Sequence, residues 1–390
     1  MRDVVIAAAT RTPIGRFKGM FADVRADHLG AAVLNELLRR TGLPADLVED
    51  VIFGCVTQIG EQCGNIARTS LLGAGWPEHI PGMTVDRKCG SAEAAIHTAY
   101  AQIAAGVIDV AAAGGAESMT RVPMGSNRDL HGKPFGWLLT DRYEMTSQGE
   151  AAERVADLWD LTRTDLDQFA VDSHARAGAA ADRGWFDREI VPVRVGNFSE
   201  ARDGDGEILV SKDETIRRGT NLEKLATLKT VFRADGRVTA GNSSQISDGA
   251  AALLLMAADV ARLRGIVPIA RIHAVAVVGS DPTLMLTGPV AAARKVLAKA
   301  GLTADDIDLF EVNEAFASVP LMWRKELGVN ADRLNVNGGA VAPGHPLGAS
   351  GARIMTTLVH ELMRRGARYG LQTICCAGGL ATATIVERIG

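Results

Sequence analysis

Short apolar runs and helical patterns of hydrophobic positions alternate along most of the chain. In the first half, a helical pattern begins at residues 30–34 and closes at Gly42, and an apolar strand follows at 51–54. An alternation of strands with helices favours a mixed or mainly parallel sheet that is covered on both faces. The pattern therefore predicts an α/β fold.

The second half repeats this order. A helical pattern closes at Gly301 and a strand follows at 308–312, so the offset from Gly42 to Gly301 is 259 residues (301 − 42). A second similarity pairs residues 111–116 with 375–380, at an offset of 264 (375 − 111). Two similarities in one order suggest a duplicated α/β unit. Chance similarity between alanine- and glycine-rich segments is the alternative.

The helix expected after Ser91 is apolar almost all round, and this predicts that it lies buried between layers. Its small side chains would let sheets approach closely on both sides, so a five-layer α-β-α-β-α sandwich is plausible. Between residues 118 and 241 the chain is more polar and irregular, with one amphipathic helix at about 165–180. This region is expected to be a long insertion carried on the first half.

Composition limits the class of protein. The 390 residues are 47% hydrophobic and 23% charged, which is typical of a globular protein of two or three domains. A net charge of −4 argues against a broad nucleic-acid surface. Five unevenly placed cysteines do not suggest a disulfide framework, and no apolar stretch has the length of a membrane span. We expect a cytoplasmic protein without a signal peptide.

Four short stretches carry candidate chemistry. A cysteine directly before a buried helix can be stabilised as a thiolate by backbone N–H groups and the helix dipole, so the pKa of the Cys89 thiol is expected to fall. His345 lies in a glycine-dense turn, where the backbone can pass close to a ligand. Asn313 follows a strand, and Glu314 is the alternative working group beside it. The stretches are Cys89-Gly90-Ser91, Asn313-Glu314-Ala315-Phe316, Gly344-His345-Pro346 and Cys375-Cys376-Ala377-Gly378-Gly379.

Together, in this order, the four stretches resemble the thiolase family, and the resemblance covers essentially the whole chain. It implies a duplicated five-layer α-β-α-β-α sandwich with an inserted loop domain over coenzyme A. The expected division is an N-terminal half at 1–117 plus 242–268, a loop domain at 118–241 and a C-terminal half at 269–390.

The resemblance also implies an activity. Thiolases cleave a 3-oxoacyl-CoA with coenzyme A to acetyl-CoA and a shortened acyl-CoA, and they catalyse the reverse Claisen condensation. Coenzyme A is then a co-substrate, and neither a metal nor a permanently bound cofactor is required. Acyl-CoA and coenzyme A are the expected partners, with no nucleic acid and no membrane. The family forms homodimers and homotetramers, and we expect one of these.

By resemblance, Cys89 is the nucleophile in a ping-pong reaction and His345 activates it. Asn313 would hold a water that stabilises an oxyanion together with His345, and the backbone N–H groups of Cys89 and Ala377 would form a second oxyanion hole. Cys375 would move protons. Cys376 is the alternative because it gives the usual Cys-x-Gly pattern, whereas three observations favour Cys375: the distance to the C-terminus, the repeat alignment and the Cys-x-Ala-Gly-Gly variant found in some thiolases.

Three further positions are matched to ligand contacts. Arg217 is similar to the family's basic segment near the nucleotide phosphates, and Ser244 to a residue that approaches the pantetheine. A solvated loop for Arg217 and a purely structural turn for Ser244 are the alternatives. Many thiolases have methionine where this chain has Gln148, in the stretch that lines the acyl pocket. We therefore expect a substrate longer or bulkier than acetoacetyl-CoA, including a steroid-derived one.

Three other functions share part of this pattern. A β-ketoacyl synthase-like condensing enzyme would share the fold and the cysteine, but it usually has a second catalytic histidine in a comparable setting. A cysteine hydrolase would use Cys, His and Asn and would not account for the second cysteine or the repeat. A non-catalytic acyl-CoA-binding relative would be expected to lose the nucleophile.

Overall fold

The computed structural model describes residues 2–128, 130–196 and 208–389. In chain order, the first part forms β1 (Val4–Arg11), β2 (Gly15–Arg16), α1 (Ala26–Thr41), β3 (Asp50–Gly54), α2 (Ile66–Gly73), β4 (Gly82–Val85), α3 (Ser91–Ala104) and β5 (Val110–Ser118). Helix α1 ends at Gly42, as predicted, because that glycine is left-handed (φ 66°) and its N–H bonds back to the carbonyl of Leu38. The helix begins earlier than predicted.

The middle of the chain contains more regular structure than its polar composition predicts. It forms α4 (Trp137–Thr140), α5 (Gln148–Leu158), α6 (Arg163–Asp182), β6 (Val193–Val195), β7 (Ile208–Val210) and α7 (Leu222–Ala226). Helix α6 confirms the predicted amphipathic helix and begins with a capping box between Thr162 and Asp165. Helix α5 was not among the predicted elements, and Ser147 caps it by accepting the N–H of Glu150.

The remaining elements are β8 (Ser247–Ala257), α8 (Ala258–Leu263), β9 (Ala270–Gly279), α9 (Gly288–Ala300), β10 (Leu309–Val312), α10 (Ser318–Leu327), α11 (Ser350–Arg365), β11 (Tyr369–Cys376) and β12 (Leu380–Arg388). The predicted helix end at Gly301 is confirmed by its left-handed conformation (φ 68°). Among the residues described, no helix is both long and apolar enough to cross a membrane.

The main sheet shows the duplication directly. Its strand order is β4-β3-β5-β8-β1 in the first half, continued by β9-β12-β11-β10, and the halves meet where β1 pairs with β9. Counted outward from this junction, the strands of one half correspond in order to the strands of the other half. A single parallel bridge from Phe310 to Leu334 takes the place that β4 occupies beside β3. The predicted duplication is confirmed.

The register corrects one detail of the repeat. Asp50 on β3 pairs with Ala111 on β5, and Leu309 on β10 pairs with Gly370 on β11. The two pairs are related by one offset of 259 residues (309 − 50 and 370 − 111). The similarity at an offset of 264 is therefore wrong in register, because alanine- and glycine-rich strands can be aligned at more than one position.

The helices complete five layers. Helices α1 and α2 pack on the outer face of the first half, and α9 and α10 pack on the outer face of the second. Helices α3 and α11 lie between the halves, pack against each other and contact strands of both. This is the predicted α-β-α-β-α sandwich. Helices α5 and α6 contact α10, so the middle segment rests on the second half.

Candidate active site

Cys89 occupies a tight turn directly before the central helix α3. Lys88 is left-handed (φ 52°), and the Ser91 hydroxyl donates to the Lys88 carbonyl over 2.6 Å. The same hydroxyl accepts the N–H of Arg87 over 2.8 Å. These bonds close the turn and place the cysteine at the N-terminus of the helix.

The expected lowering of the thiol pKa does not hold for the resting enzyme. Burial raises the pKa of Cys89 to about 11, although hydrogen bonds from the Gln148 side chain and from the backbone N–H groups of Cys89 and Ala377 act in the opposite direction. The thiol lies in an apolar cluster with Met119, Leu347 and other side chains. Desolvation of the charged form thus outweighs the helix terminus, and the thiol needs a base.

His345 has the properties of that base. Its Nδ1 lies 2.5 Å from the Ser350 hydroxyl, and that hydroxyl donates its proton to the Pro346 carbonyl over 2.7 Å. Nδ1 must therefore carry a hydrogen, and Nε2 is left as the acceptor. Burial, and then the positive charge of Arg353, lower the pKa of His345 to about 3. The imidazole is neutral at physiological pH.

The turn around His345 depends on glycine. Gly344 has a positive φ of 97°, and a Cβ there would lie 2.3 Å from the Ser247 hydroxyl. The backbone N–H of His345 donates to that hydroxyl and to the Gln245 carbonyl, each over 3.2 Å. The segment that leads into β8 thus holds the His345 turn in place through these two hydrogen bonds.

The turns that carry Cys89 and His345 are brought together because α3 and α11 begin side by side. A Cβ at Gly351 would lie 2.3 Å from the backbone nitrogen of Glu93, so only glycine permits this approach. Glu117 fixes the second turn, since it accepts the N–H of Gly348 over 2.8 Å. The sequence analysis missed Glu117, although a lone acidic residue in the alanine-rich strand β5 was a possible signal.

Asn313 lies beside the imidazole. Its Nδ2 is 3.4 Å from His345 Nε2, and its buried Oδ1 has no hydrogen-bond partner among the described residues. Its backbone N–H donates to the Thr373 carbonyl of β11 over 3.1 Å, which fixes the end of β10 against the sheet. The side chain is therefore placed to hold a small polar group next to Nε2.

Glu314 serves a structural purpose. Its carboxylate accepts hydrogen bonds from Asn335 Nδ2 (2.9 Å), the Ser173 hydroxyl (2.7 Å) and the backbone N–H of Val341 (3.0 Å). These bonds join α6 to the loop that leads to the histidine. The interpretation of Glu314 as the working group loses support because its oxygens are occupied.

The adjacent cysteines of β11 face opposite sides. Cys375 belongs to an apolar cluster with residues that include Phe316 and Met285, whereas Cys376 lies in the cluster of Cys89. The Cys376 sulfur packs against Gly90, where a Cβ would approach it to 2.7 Å. Burial raises the pKa of both thiols. The register of the repeat removes one of the arguments for Cys375. The side of the sheet that Cys375 faces supplies another, because side chains of α5, the helix that begins at Gln148, pack in the cluster of Cys375.

The two positions matched to coenzyme A contacts lie in different segments of the chain. Arg217 is exposed, and its N–H donates to His174 Nδ1 over 3.1 Å beside a groove of about 300 Å³ between α6 and residues 217–220. Thr215 donates to the Pro343 carbonyl over 2.8 Å, which connects this segment to the histidine turn. The N–H of Ser244 donates to the Ala315 carbonyl over 3.0 Å, next to Asn313.

A histidine of α3 and two cysteines of the first half lie outside the four stretches. His97 bonds the Thr384 hydroxyl over 2.8 Å, and burial lowers its pKa to about 3, which agrees with a packing role. Cys55 is buried against Glu117, and Cys63 is exposed.

Two family models match the chain, the thiolase N-terminal domain over residues 4–259 and the thiolase C-terminal domain over residues 266–388. The chain belongs to the thiolase family. The resemblance seen in the four stretches is thereby confirmed, together with the class of enzyme, an acyltransferase. This thiolase has the expected fold, in which Asn313 lies against His345.

Solved and curated relatives match the full length of this thiolase. A β-ketoadipyl-CoA thiolase of Pseudomonas putida is 45% identical, and the match covers 100% of both chains. A steroid 3-ketoacyl-CoA thiolase of Mycobacterium tuberculosis is 43% identical, with 100% of this chain and 95% of the relative covered. The crystal structure of a Bacillus anthracis acetyl-CoA acetyltransferase superposes with a TM-score of 0.91 at 40% identity, over 100% of this chain and 99% of that one.

Proposed function

We propose that this thiolase cleaves a 3-oxoacyl-CoA with coenzyme A through a covalent acyl-Cys89 intermediate. The observation that carries the proposal is a buried, protonated thiol at Cys89 on the turn next to that of His345, whose neutral imidazole keeps Nε2 as its proton acceptor. A nucleophile and a base with these protonation states suit attack on a carbonyl carbon.

In the first half-reaction, the Cys89 sulfur attacks the 3-keto carbon while its proton passes to His345. The resulting oxyanion is stabilised by the protonated imidazole and by a water held on Asn313, whose buried Oδ1 is unpartnered within the described chain. The carbon–carbon bond then breaks. The enolate of acetyl-CoA takes a proton from Cys375, and the shortened acyl group remains on Cys89 as a thioester.

In the second half-reaction, the Cys375 thiolate removes the thiol proton of incoming coenzyme A. The coenzyme A sulfur attacks the acyl-enzyme, and the new oxyanion faces the backbone N–H groups of Cys89 and Ala377. The same two N–H groups act to lower the pKa of the Cys89 thiol against the effect of burial, which supports this second oxyanion hole. Collapse of the intermediate expels the Cys89 thiolate, which recovers its proton from His345.

Replacing Cys375 and Cys376 separately assigns the proton-transfer role. Cys375→Ala should lower kcat by about 10²–10⁴-fold, because a positioned acid–base group contributes roughly that much. Cys376→Ala should leave kcat within a few-fold and cost about 1 kcal/mol of stability, because a small buried group is lost under Gly90. Steady-state thiolysis and thermal unfolding of both variants provide the measurement. The reverse pattern would assign the role to Cys376.

The acyl group is proposed to be longer or bulkier than an acetoacetyl group. Gln148 stands where many thiolases have methionine in the acyl-pocket segment, and relatives named for β-ketoadipyl-CoA and for a steroid substrate lie at 45% and 43% identity. We expect kcat/KM for a long or branched 3-oxoacyl-CoA to exceed that for acetoacetyl-CoA by at least about tenfold, or about 1.4 kcal/mol in transition-state binding. A clear preference for acetoacetyl-CoA would contradict this.

The nucleotide of coenzyme A is proposed to lie along the groove beside Arg217, with the pantetheine arm passing Ser244 towards Cys89. The exposed guanidinium supplies a positive charge for phosphate at the outer end of this path. Coenzyme A acts as a co-substrate, and no bound cofactor takes part in the proposed steps. We also propose a cytoplasmic homodimer or homotetramer with the three-part domain division stated above.

A further inference from the structure

A buried carboxylate lies on the first turn of α3, four residues after the nucleophile. The Glu93 side chain is fully buried, and it accepts two hydroxyl hydrogen bonds from β12. Thr382 donates to Oε2 over 2.6 Å, and Thr384 donates to Oε1 over 2.5 Å. Burying a carboxylate is unfavourable unless such bonds compensate. Because α3 comes from the first half of the chain and β12 from the second, Glu93 ties the start of the helix to the opposite half.

The contact continues from Thr382 to the residue that follows the nucleophile. A Cβ at Gly90 would lie 3.0 Å from the Thr382 hydroxyl oxygen and 2.7 Å from the Cys376 sulfur. The backbone of Gly90 therefore packs directly on that hydroxyl and on the strand of the two cysteines. On this strand, Cys375 pairs with Ala381, the neighbour of Thr382 on β12. One hydroxyl thus lies between the Glu93 carboxylate and the turn that carries Cys89.

The second threonine makes its contacts farther from this turn. Thr384 is two residues beyond Thr382, which places it roughly 7 Å farther along the strand. Its hydroxyl oxygen lies 2.8 Å from Nε2 of His97, which is four residues beyond Glu93 on α3. The two threonines therefore make the same bond to one carboxylate, but Thr382 contacts the Gly90 backbone and Thr384 contacts the next turn of the helix.

We propose that Glu93 is a positioning residue that acts through Thr382 to hold Gly90, and with it the Cys89 turn, against β12. The proposal rests on the proposed function, in which the acyl group on Cys89 must lie within reach of the proton-transfer cysteine on β11. Burial raises the pKa of Glu93 to about 7. The contact does not depend on the charge, because a hydroxyl can donate to a carboxylate and accept from a carboxylic acid.

Thr382→Val and Thr384→Val form a matched pair, because each removes one hydroxyl from the same carboxylate and keeps the shape of the side chain. Thr382→Val should lower kcat for thiolysis about tenfold and leave KM within about twofold, because a misplaced nucleophile slows the reaction without weakening binding. Thr384→Val should keep kcat within about twofold of wild type and should lower the melting temperature, because it leaves Nε2 of buried His97 without its partner. A purely structural role would change the melting temperature in both variants and kcat in neither.

Two replacements of Glu93 test whether the hydrogen bonds or the charge matter. Glu93→Gln keeps the length of the side chain, and its carbonyl and NH₂ groups can bond one hydroxyl each, so kcat should stay within a few-fold of wild type. Glu93→Met removes both bonds and should lower kcat about 10- to 100-fold. Wild-type kcat in Glu93→Met would overturn the proposal, and so would an equal loss in the two variants.

Hydrogen exchange of the Cys89 turn gives a measurement that does not depend on activity. The N–H groups of Gly90 and Ser91 donate to the carbonyls of Arg87 and Lys88, and their exchange can be followed by mass spectrometry. It should be about tenfold faster in Thr382→Val and unchanged in Thr384→Val. Equal exchange in the two threonine variants would overturn the proposal. If the turn loosens as expected but wild type forms no acyl-enzyme, the proposed function fails and the positioning role of Glu93 stands.

Discussion

Replacing Cys89 by alanine should reduce kcat for thiolysis by roughly 10⁵-fold or more, since removal of a covalent nucleophile leaves only binding and orientation. The buried turn before α3 should tolerate the change, because Gly90 and Ser91 and not the thiol close it. The melting temperature should therefore stay near that of wild type. Initial rates of acetyl-CoA formation with saturating coenzyme A measure the effect.

Cys63→Ala is the matched control, because Cys63 is an exposed thiol outside the site. Its kcat should equal that of wild type within a few-fold. A Cys89→Ala variant that retains more than about one percent of the wild-type rate would contradict a role as the nucleophile, since losses of this kind are far larger.

Replacing His345 by asparagine should lower kcat by about 10²–10⁴-fold. Burial keeps the Cys89 thiol protonated at neutral pH, so loss of the imidazole that is proposed as the base leaves the proton on the sulfur. The rate of Cys89 alkylation at neutral pH should fall as well. Because the pKa of His345 is lowered to about 3, wild-type activity should not decline between about pH 8 and 5 through protonation of this group.

The control for His345 is His79→Asn, which makes the same substitution at an exposed position. Its kinetics should match wild type. If wild-type kcat falls sharply as the pH is lowered, with an apparent pKa near 6.5, the His345 imidazole gains its proton as an ordinary histidine does. That result would contradict the neutral resting state proposed for it.

Much of the fold was predictable from pattern alone. Gly42 and Gly301 ended their helices as expected, because a left-handed residue without a side chain is a local requirement that the sequence displays directly. The register of β11 was not predictable, since small residues fit at several offsets and only pairing with β10 selects one. Helix α5 was missed because a short amphipathic run in polar surroundings resembles a loop.

The site residues could be identified from the sequence, but their protonation states could not. Cys89, His345 and Asn313 stood out through their turns, and the structure places Asn313 against His345. Their protonation could not be predicted, because it depends on burial. The expected fall in the pKa of Cys89 relied on the helix terminus alone and neglected the apolar cluster around the sulfur. Likewise, the tautomer of His345 depends on Ser350, whose contact forms only in the folded turn.

The most direct test of the account is mass spectrometry of the wild-type enzyme mixed with a 3-oxoacyl-CoA and no free coenzyme A. We expect release of acetyl-CoA and a shortened acyl group attached to Cys89, with no such adduct in Cys89→Ala. The absence of any adduct across short, long and bulky substrates would contradict it, and so would an acyl group mapped to another residue.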